Sequence, residues 1–469
     1  MTAEEKKRIH FRRIRLNTNI EQELFRKAIL SSSAHVNMLG KTGIIPASSA
    51  DSILKALAEI SADLEAGRDT TSDADSDVYE ALERKLRAKV GEEFILARTA
   101  KSHNDQAATD LRLWLRDICL SVGSLLISLR KTFIKLAERD IDVVMPGYTH
   151  LQPAEAILLS HWWLSNEARF SRDFARLLDF YRRLNLLPLG ANVLAGTREP
   201  IDRRMVAEAL GFDDVIENSL DAVSDRDFMI EFGAFATIVG LHVSQLGSEL
   251  LLWVTQEFAF ARIPQDLIIS SQALPLKRNP EILELLRARP SMIFGRMMEI
   301  IVQLKAITTG FCLDLQECVL GLADISDTLD LLLSLTEGLL PGIELDTNRM
   351  REVACADLVN VSNALNYLLD HGVSREIATR VVEQLASYCR TRNKYLSDLG
   401  LNEWQQFSPA FGEDIYESVS IQESVGTFCS FGGSSREQVE LALARSSGSV
   451  EADSRRLNEL NLKFSVNLA

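Results

Sequence analysis

A polar stretch between two long apolar segments carries residue types that can bind an anion and move a proton. Residues 270–280 read Ser-Ser-Gln-Ala-Leu-Pro-Leu-Lys-Arg-Asn-Pro. The prolines stop a helix from running through the stretch, which is therefore predicted to be a loop between two helices. Lys277 can hold a carboxylate as a point charge, and Asn279 can do so by hydrogen bonding. From these residues alone, a plain helix–helix connector with polar caps is an equally good interpretation.

A histidine and a polar helix start supply further candidate groups. His150 lies in Pro-Gly-Tyr-Thr-His-Leu-Gln at 146–152, which is predicted to be a Pro-Gly turn leading into a helix. Histidine is suited to proton transfer near neutral pH, although a lone histidine beside a turn is more often structural. The segment Ser-His-Asn-Asp-Gln at 102–106 precedes an amphipathic helix. It is predicted to cap that helix, whose free amides can also receive a carboxylate.

The elements that position these groups are predicted to be helices. Strand signals are scarce, and two long apolar runs cover 228–258 and 281–309, the second broken only by Pro290. Such lengths favour a helical bundle, and several faces are too apolar for one protomer to cover, which predicts packing between subunits. Three domains are predicted: an N-terminal mixed helical domain (1–105), a central long-helix bundle (106–355) and a C-terminal helical domain (356–469).

Composition and charge exclude several classes of protein. The chain has 469 residues, of which 46% are hydrophobic and 25% charged, as expected for a soluble globular protein of two or three domains. A net charge of -15 argues against a nucleic-acid partner or an anionic membrane surface. The six cysteines show no CxxC pairing, which predicts reduced thiols without disulfides or a zinc site. The basic start lacks the apolar segment of a signal peptide, so a cytoplasmic location is expected.

The same stretches carry a family resemblance. Residues 270–280 resemble the mobile signature loop of the fumarase/aspartase superfamily, Gly-Ser-Ser-x-x-Met-Pro-x-Lys-x-Asn-Pro. Residues 146–152 match the family's Pro-Gly-Tyr-Thr-His-Leu-Gln at every position. Residues 100–116 resemble Gly-Arg-Ser-Arg-Asn-Asp-Gln and the following helix of the argininosuccinate lyase branch. The resemblance covers nearly the whole chain after about Arg15. It implies an all-α long-helix bundle and a homotetramer whose active sites each draw motifs from three subunits.

The resemblance also implies a role for each candidate site residue. Ser270 would remove the β-proton, and His150 would give or relay a proton to the departing nitrogen. The residues expected to bind substrate are Ser102, His103, Asn104, Thr149, Lys277, Asn279, Phe311 and Gln316. Ser224 or Asp225 would lie near the site. The implied reaction is β-elimination that releases fumarate from a small dicarboxylate–amino-acid adduct, with no metal or organic cofactor.

Six positions depart from the argininosuccinate lyase pattern, among them Leu276, where the pattern often has glutamine. His103 replaces an arginine, Ile269 a glycine and Tyr79 a histidine. Phe311 and Val319 replace a tyrosine and a lysine that help to hold the arginine end of the usual substrate. Each lost hydrogen-bond partner is expected to weaken that substrate's binding by roughly 1–3 kcal/mol. The sequence therefore favours a carbon–nitrogen lyase with altered specificity. The alternatives are an ordinary argininosuccinate lyase and a catalytically silent structural or regulatory homologue.

Overall fold

Long helices dominate the part of the chain that the computed structural model describes, namely residues 18–68, 75, 77–270, 274, 277–355, 357–392 and 394–466. The first helices are α1 (Thr18–Lys41), α2 (Ala47–Glu65) and α3 (Val78–Val90), followed by a 3-10 helix (Gly91–Arg98). Helix α2 buries Ile53, Leu57 and Ile60. This spacing places them on one helical face, which packs against α1. Asp77 caps α3 by accepting from two backbone N–H groups, and Gly91 at a φ of 63° ends it.

The central part of the chain alternates long helices with very short strands. Its elements are α4 (His103–Arg139), β1 (Val144–Thr149), β2 (Gln152–Leu158), α5 (Leu159–Leu184), β3 (Leu186–Leu187), α6 (Arg203–Leu210), β4 (Asp214–Val215), α7 (Ser219–Ser224), α8 (Asp227–Trp253), β5 (Ala261–Arg262), β6 (Ile269–Ser270), β7 (Arg278–Asn279), α9 (Glu281–Ala288), α10 (Pro290–Leu304) and α11 (Asp314–Leu339). Helices α4, α5, α8, α10 and α11 pack side by side as a bundle. The predicted all-α bundle is confirmed.

The two apolar runs that the sequence singled out fold as expected. The first is α8, and the second is α9 and α10, which separate at Pro290 because proline suits the first position of a new helix. Helix α8 is long and apolar enough to cross a membrane by length and composition, yet half of its most apolar window is buried inside the protein. A core helix of a soluble bundle passes the same test, so this feature is weak evidence for a membrane span.

The C-terminal part forms a second, smaller apolar cluster and then returns to the bundle. Its elements are β8 (Glu344–Leu345), α12 (Thr347–Ala354), α13 (Asp357–Asp370), α14 (Arg375–Arg392), α15 (Leu401–Phe407), α16 (Ile415–Ser418), α17 (Ile421–Gly426) and α18 (Arg436–Val466). Trp404, Phe411 and Leu385 lie at the centre of the smaller cluster. Helix α18 packs against α4 and α5, so the end of the chain belongs to the main core.

The strands form short local pairs between the helices. The longest pair is β1 with β2, which is antiparallel from Val144 opposite Leu158 to Thr149 opposite Gln152. Strands β3 and β4 pair in parallel, whereas β5 with β8 and β6 with β7 pair antiparallel. Each of these later pairs spans two residues per strand, which is too short to form a layer of its own. The helices therefore determine the overall architecture.

A buried arginine joins three helices of the bundle. The guanidinium of Arg130 on α4 is fully buried. Its Nε lies 2.8 Å from Oε1 of Glu167 on α5, and its Nη1 lies 2.7 Å from Oδ2 of Asp453 on α18. Its Nη2 donates to Oγ of Ser449 at 3.2 Å. Removing one partner of such a network leaves buried charges without compensation.

Replacing Arg130 with alanine is expected to lower the free energy of unfolding by about 3–5 kcal/mol, because Glu167 and Asp453 would stay buried without their cation. The matched control is Arg182→Ala, which removes an exposed ion pair with Asp179 on the same bundle and should change stability by less than about 1 kcal/mol. Denaturant unfolding measures both. Equal losses in the two variants would contradict the role given to Arg130.

Candidate active site

The amino end of α4 holds the first predicted substrate-binding residues. Ser102 is the N-cap and accepts from the backbone N–H of Asn104 at 3.3 Å. Asp105 completes a capping box by accepting from the backbone N–H of Ser102 at 2.9 Å. The prediction that this segment caps a helix is therefore confirmed. Asp105 also accepts from the backbone N–H groups of Gly190 (2.9 Å) and Asn192 (2.7 Å), which fixes the loop after β3 against the helix start.

The side chains beside the cap are held by neighbours from two other segments. The amide of Asn104 donates to the backbone carbonyl of Val193 at 3.1 Å. The ring of His103 lies against that of Tyr79, with centroids 5.3 Å apart, and its Nε2 is 3.3 Å from Oε1 of Glu83. Both His103 and Asn104 remain partly exposed. The end of α4 therefore presents oriented polar groups to solvent.

The start of α11 is anchored at the same end of the bundle. The backbone N–H of Gly310 donates to Oγ of Ser224 at 2.8 Å. The next residue, Asp225, forms an ion pair with Arg112 on the first turns of α4. Ser224 is therefore a link between segments, and its place near the site stays a prediction. The predicted residues at this end, called here the α4 end, are Ser102, His103, Asn104, Phe311 and Gln316.

Thr149 and His150 lie on a β-hairpin, which corrects the prediction of a turn leading into a helix. His150 and Leu151 form the two-residue connection, with φ of +53° and +58°. Two successive positive φ values are typical of a type I′ turn, which usually selects Asn-Gly. Other residues in this region cost about 1–3 kcal/mol each and persist only where the surroundings enforce them. The turn exposes both Thr149 and His150.

The described ends of the predicted signature loop approach each other. Residues 269–270 pair with 278–279 as β6 and β7, so the two ends of the stretch lie on neighbouring strands. Lys277 is exposed, and Asn279 is partly exposed. The backbone of Ser270 is part of β6, whereas its side chain and residues 271–273, 275 and 276 lie outside the described residues.

The loop lies at the end of the bundle that carries the hairpin. Helix α9, which follows the loop, runs antiparallel to α8, because Pro290 meets Gly240 and Leu286 meets Gly247. The start of α9 is therefore close to the carboxyl end of α8, where Trp253 lies.

Aromatic contacts join this end of α8 to the hairpin. The ring centroids of Trp253 and Trp162, the latter at the start of α5, are 4.4 Å apart. Tyr148 of β1 lies 5.6 Å from Phe258, which follows α8. Thr149, His150, Ser270, Lys277 and Asn279 thus belong to one end of the bundle, called here the hairpin end.

Helix α4 separates the two ends within one protomer. At 1.5 Å per residue, the helix axis from Asn104 to Arg139 spans about 50 Å. Strand β1 begins at Val144, and the hairpin projects from there by less than about 20 Å. Asn104 and His150 of one protomer are therefore at least about 20 Å apart, even if the hairpin folds back along the helix. A small dicarboxylate adduct cannot touch both.

Buried charges behind the α4 end were missed by the sequence analysis. Lys101 donates to Oγ of Ser32 at 2.9 Å, and burial lowers its pKa to about 8. Burial also raises the pKa of the Asp110 carboxyl to about 7, against the opposing influence of Ser31 and Lys101. The available signal was weak, since Asp110 adjoins Leu111 but lies between the polar residues Thr109 and Arg112 in the sequence. Only the packing of α1 and α3 around it makes that position interior.

Comparison with known proteins first identifies the class of proteins to which this fold belongs. A family described as Lyase matches residues 2–295, and one described as Argininosuccinate lyase C-terminal matches residues 359–426. Among solved structures, EDDS lyase in complex with formate superposes with a TM-score of 0.87 at 23% identity, covering 99% of this chain and 93% of that one. The 3-carboxy-cis,cis-muconate lactonizing enzyme from Pseudomonas putida gives 0.74 at 19% identity, covering 92% and 95%. At these identities the structures show the shared fold.

Relatives in sequence then define the branch. The argininosuccinate lyase of Geobacter metallireducens is 38% identical over 427 residues, which is 91% of this chain and 93% of the relative. That of Pelotomaculum thermopropionicum is 40% identical over 407 residues, or 87% and 88% of the two chains. The chain belongs to the argininosuccinate lyase branch of the fumarase/aspartase superfamily, as the sequence motifs predicted.

Asp110 is expected to make stability depend on pH. Its folded pKa is raised to about 7, so the stability that its carboxyl contributes is fully present below pH about 4. That contribution is lost as the pH rises through about 7, because the unfolded chain ionises first. Asp110→Asn removes this loss of stability at high pH, because asparagine does not ionise. The gain in melting temperature over wild type should therefore be larger at pH 8 than at pH 5.

The control for this measurement is Asp179→Asn, which changes an exposed carboxylate on α5 and should show no such pH dependence. An effect of Asp110→Asn that is the same at both pH values, or larger at pH 5, would contradict the buried, proton-binding state of Asp110.

Proposed function

We propose that this protein is an argininosuccinate lyase that cleaves argininosuccinate into fumarate and arginine. The observation that carries the proposal is the similarity, over about nine-tenths of the chain, to relatives that bear this name in several organisms. The match of residues 146–152 to the family motif at every position supports it. The sequence analysis favoured altered specificity on the basis of a few positions, and the similarity of the whole chain favours the ordinary enzyme instead.

The reaction requires fixed donors for a developing dianion. A proton on the carbon beside a carboxylate is only weakly acidic, and its removal places a second negative charge on that carboxylate. Lys277 and Asn279 at the hairpin end, with Thr149 on the adjacent turn, would supply a cation and hydrogen-bond donors to it. Asn104 and the free amides at the start of α4 would hold the other carboxylate.

Two residues would move protons. Ser270 would take the proton from the β-carbon, and the electron pair of that C–H bond would form the double bond of fumarate. The carbon–nitrogen bond would break, and the departing nitrogen would take its electron pair and a proton from His150. Lys277, seven residues beyond Ser270 in the same loop, would favour the serine anion. The exposed I′ turn would hold His150 in reach of a substrate bound at the hairpin end.

The site would be completed by several copies of the chain. One protomer carries an α4 end and a hairpin end that a single substrate cannot bridge. We therefore propose a homotetramer in which the α4 end of one protomer meets hairpin-end groups of other protomers, whereas the family resemblance implies that three subunits contribute to each site. The long bundle helices supply the surface for this assembly.

An apolar surface stripe on the bundle is suited to that contact. Phe294, Met298 and Val302 recur every four residues on α10 and are 53%, 41% and 56% exposed. This spacing places them on one face of the helix. Leu241 and Leu252 on α8 are also exposed. Exposed apolar patches of this kind mark interfaces between proteins, and helical faces of one chain commonly pair with a second copy in a symmetric assembly.

The assembly predicts a molar mass of four times 52.4 kDa in light scattering. Phe294→Lys combined with Met298→Glu should yield smaller species and abolish activity, since charges would face the apolar stripe. Ile377→Glu, at an exposed position on α14 outside the stripe, is the control and should leave the mass unchanged. A monomeric wild-type protein would contradict the proposal.

A second candidate function rests on the changed residues near the amine-binding region. Phe311 and His103 replace a hydroxyl and a guanidinium of the family pattern at the α4 end. A related N-substituted aspartate with a smaller or less polar amine would lose less at these positions than argininosuccinate. Val319 gives little support to this second candidate. It is buried in the core face of α11, where a valine packs without a charge.

The function is tested by following the ultraviolet absorbance of fumarate with argininosuccinate as substrate. We expect turnover in wild type, and a loss of about 10²-fold or more in Ser270→Ala and in His150→Asn. Asparagine tolerates the left-handed backbone of position 150, so the second variant keeps the turn. His161→Asn, the same change at the start of α5, is the control and should remain active.

Other outcomes of this experiment would favour a different function. Absence of turnover with argininosuccinate, combined with addition of other amines to fumarate in the reverse direction, would favour the second candidate. Absence of both reactions, with no thermal stabilisation by fumarate or succinate, would contradict any lyase activity and leave the silent homologue.

A further inference from the structure

The turn that carries His150 holds its second residue in an unfavourable backbone conformation. His150 and Leu151 have φ of +53° and +58°. Histidine is among the residues that tolerate such values, whereas a bulky residue such as leucine rarely adopts them. Leu151 is 70% exposed, so the packing of its own side chain does not hold the turn. The restraint must therefore come through the strands that flank the turn.

The aromatic ring of Tyr148, two residues before His150, is held by two phenylalanines. Its centroid lies 5.6 Å from that of Phe258 and 6.5 Å from that of Phe260. The two phenylalanine rings meet edge to face at 5.5 Å, which is a favoured geometry for aromatic pairs. Phe258 is partly buried and Phe260 is fully buried. These three rings, called here the aromatic clamp, hold strand β1 next to the turn.

The segment after α8 is folded so that it presents two of these rings. Its Ala259 has a φ of +53°. The N–H of Ala259 donates to the carbonyl of Thr255 at 2.8 Å, and the N–H of Phe260 donates to that of Trp253 at 2.9 Å. These two bonds turn the chain back at the end of α8. Phe258 and Phe260 therefore flank a second strained residue, and such residues are common where a structure fixes a functional group.

Helix α12 fixes the same segment from its other side. The N–H of Asp346 donates to the carbonyl of Phe260 at 2.9 Å, and the Asp346 carboxylate accepts from the N–H of Arg349 at 3.0 Å. The Nε of Arg349 lies 3.5 Å from the carbonyl oxygen of Phe258. Burial raises the pKa of the Tyr148 hydroxyl, and the charge of Arg349 opposes this rise. The guanidinium therefore lies near both members of the Tyr148–Phe258 pair.

We infer that Tyr148 and Phe258 are positioning residues, whose ring contact keeps the turn in its left-handed conformation and so holds His150 where it can transfer a proton. The inference rests on the proposed function, which gives His150 this task. Both residues act through the turn, so neither is a catalytic residue.

Loss of the aromatic clamp would affect catalysis more than binding. Without the ring contact, Tyr148 would no longer restrain β1, and the turn could relax to negative φ. His150 would then be displaced, while Lys277 and Asn279 on the neighbouring loop would still bind a carboxylate. A change that lowers kcat and kcat/KM equally removes an interaction made in the transition state.

The first test is Phe258→Ala, which removes the ring that contacts Tyr148. We expect kcat for argininosuccinate cleavage to fall about tenfold and KM to change by less than about twofold. Phe258→Leu keeps an apolar side chain at this position and should lose less activity. The control is Phe407→Ala, which removes another partly buried ring, 5.2 Å from Tyr388 in the smaller apolar cluster. It should lower the melting temperature without lowering kcat.

Leu151→Gly separates positioning from a merely structural role. Glycine adopts positive φ without steric cost, so this change lowers the strain that the aromatic clamp must offset. In the wild type it should alter kcat by less than about twofold, because the clamp already holds the turn. In the Phe258→Ala background it should raise kcat by about threefold or more. A phenylalanine that merely filled space would show no such rescue.

Hydrogen exchange of residues 147–152 tests the aromatic clamp without substrate. Exchange should be faster in Phe258→Ala than in the wild type and unchanged in Phe407→Ala. Unchanged kcat in Phe258→Ala, or a loss that Leu151→Gly does not recover, would overturn the inference while leaving the lyase intact. Absence of fumarate release by the wild type would instead contradict the proposed function. In that case faster exchange in Phe258→Ala would still support the clamp on the turn, and unchanged exchange would overturn it.

Discussion

The rigidity of one helix sets the layout of this protein. Helix α4 runs for 37 residues from His103 to Arg139, and an α-helix of this length cannot shorten without breaking its hydrogen bonds. The capping box of Ser102 and Asp105 fixes its start, and the buried Arg130 ties its second half to α5 and α18. The groups at its two ends are therefore held apart, so that under the proposed function each end would supply only part of the substrate contacts. The proposed assembly of several copies would bring the two kinds of end together.

The same bundle carries the exposed apolar surface that the proposed assembly would use. Phe294, Met298 and Val302 form a stripe on the outer face of α10. The inner face of this helix packs in the core of the protomer. Burying this stripe against another copy removes apolar surface from water. It would also bring a rigid α4 end against a rigid hairpin end. Stability of the assembly and completion of the active site are in this view one requirement.

The sequence predicted much of the fold because its strongest signals are local. The apolar run of α8, the break at Pro290 and the cap at Ser102 follow from periodicity and from the chemistry of single residues. The hairpin at 146–152 was not predicted, because His-Leu lacks the Asn-Gly signal of an I′ turn. The burial of Lys101 and Asp110 depends on α1 and α3, which lie far away in sequence. The contact of His103 with Glu83 and Tyr79 likewise depends on α3, which is separate from α4 in sequence.

On specificity, the local signals and the similarity of the whole chain point in different directions. Phe311, Val319 and His103 each lack a polar group of the family pattern, and together they favoured an unusual substrate. The structure gives two of these positions a local explanation, since Val319 packs in the core of α11 and His103 has Glu83 as a partner. Similarity along nine-tenths of the chain then favours the ordinary reaction. A few substitutions around a site decide specificity only when nothing nearby compensates for them.

The central claim, that one active site combines the α4 end of one protomer with the hairpin end of another, is tested most directly by mixing two inactive variants. Asn104→Ala disables the α4 end, and His150→Asn disables the hairpin end. Co-expression of the two should restore fumarate release well above the sum of the separate variants, because some sites combine two intact ends. Thr149→Ala mixed with His150→Asn should restore none, since both changes lie on one hairpin. If the first mixture stays inactive although both variants assemble as tetramers, the shared site is contradicted.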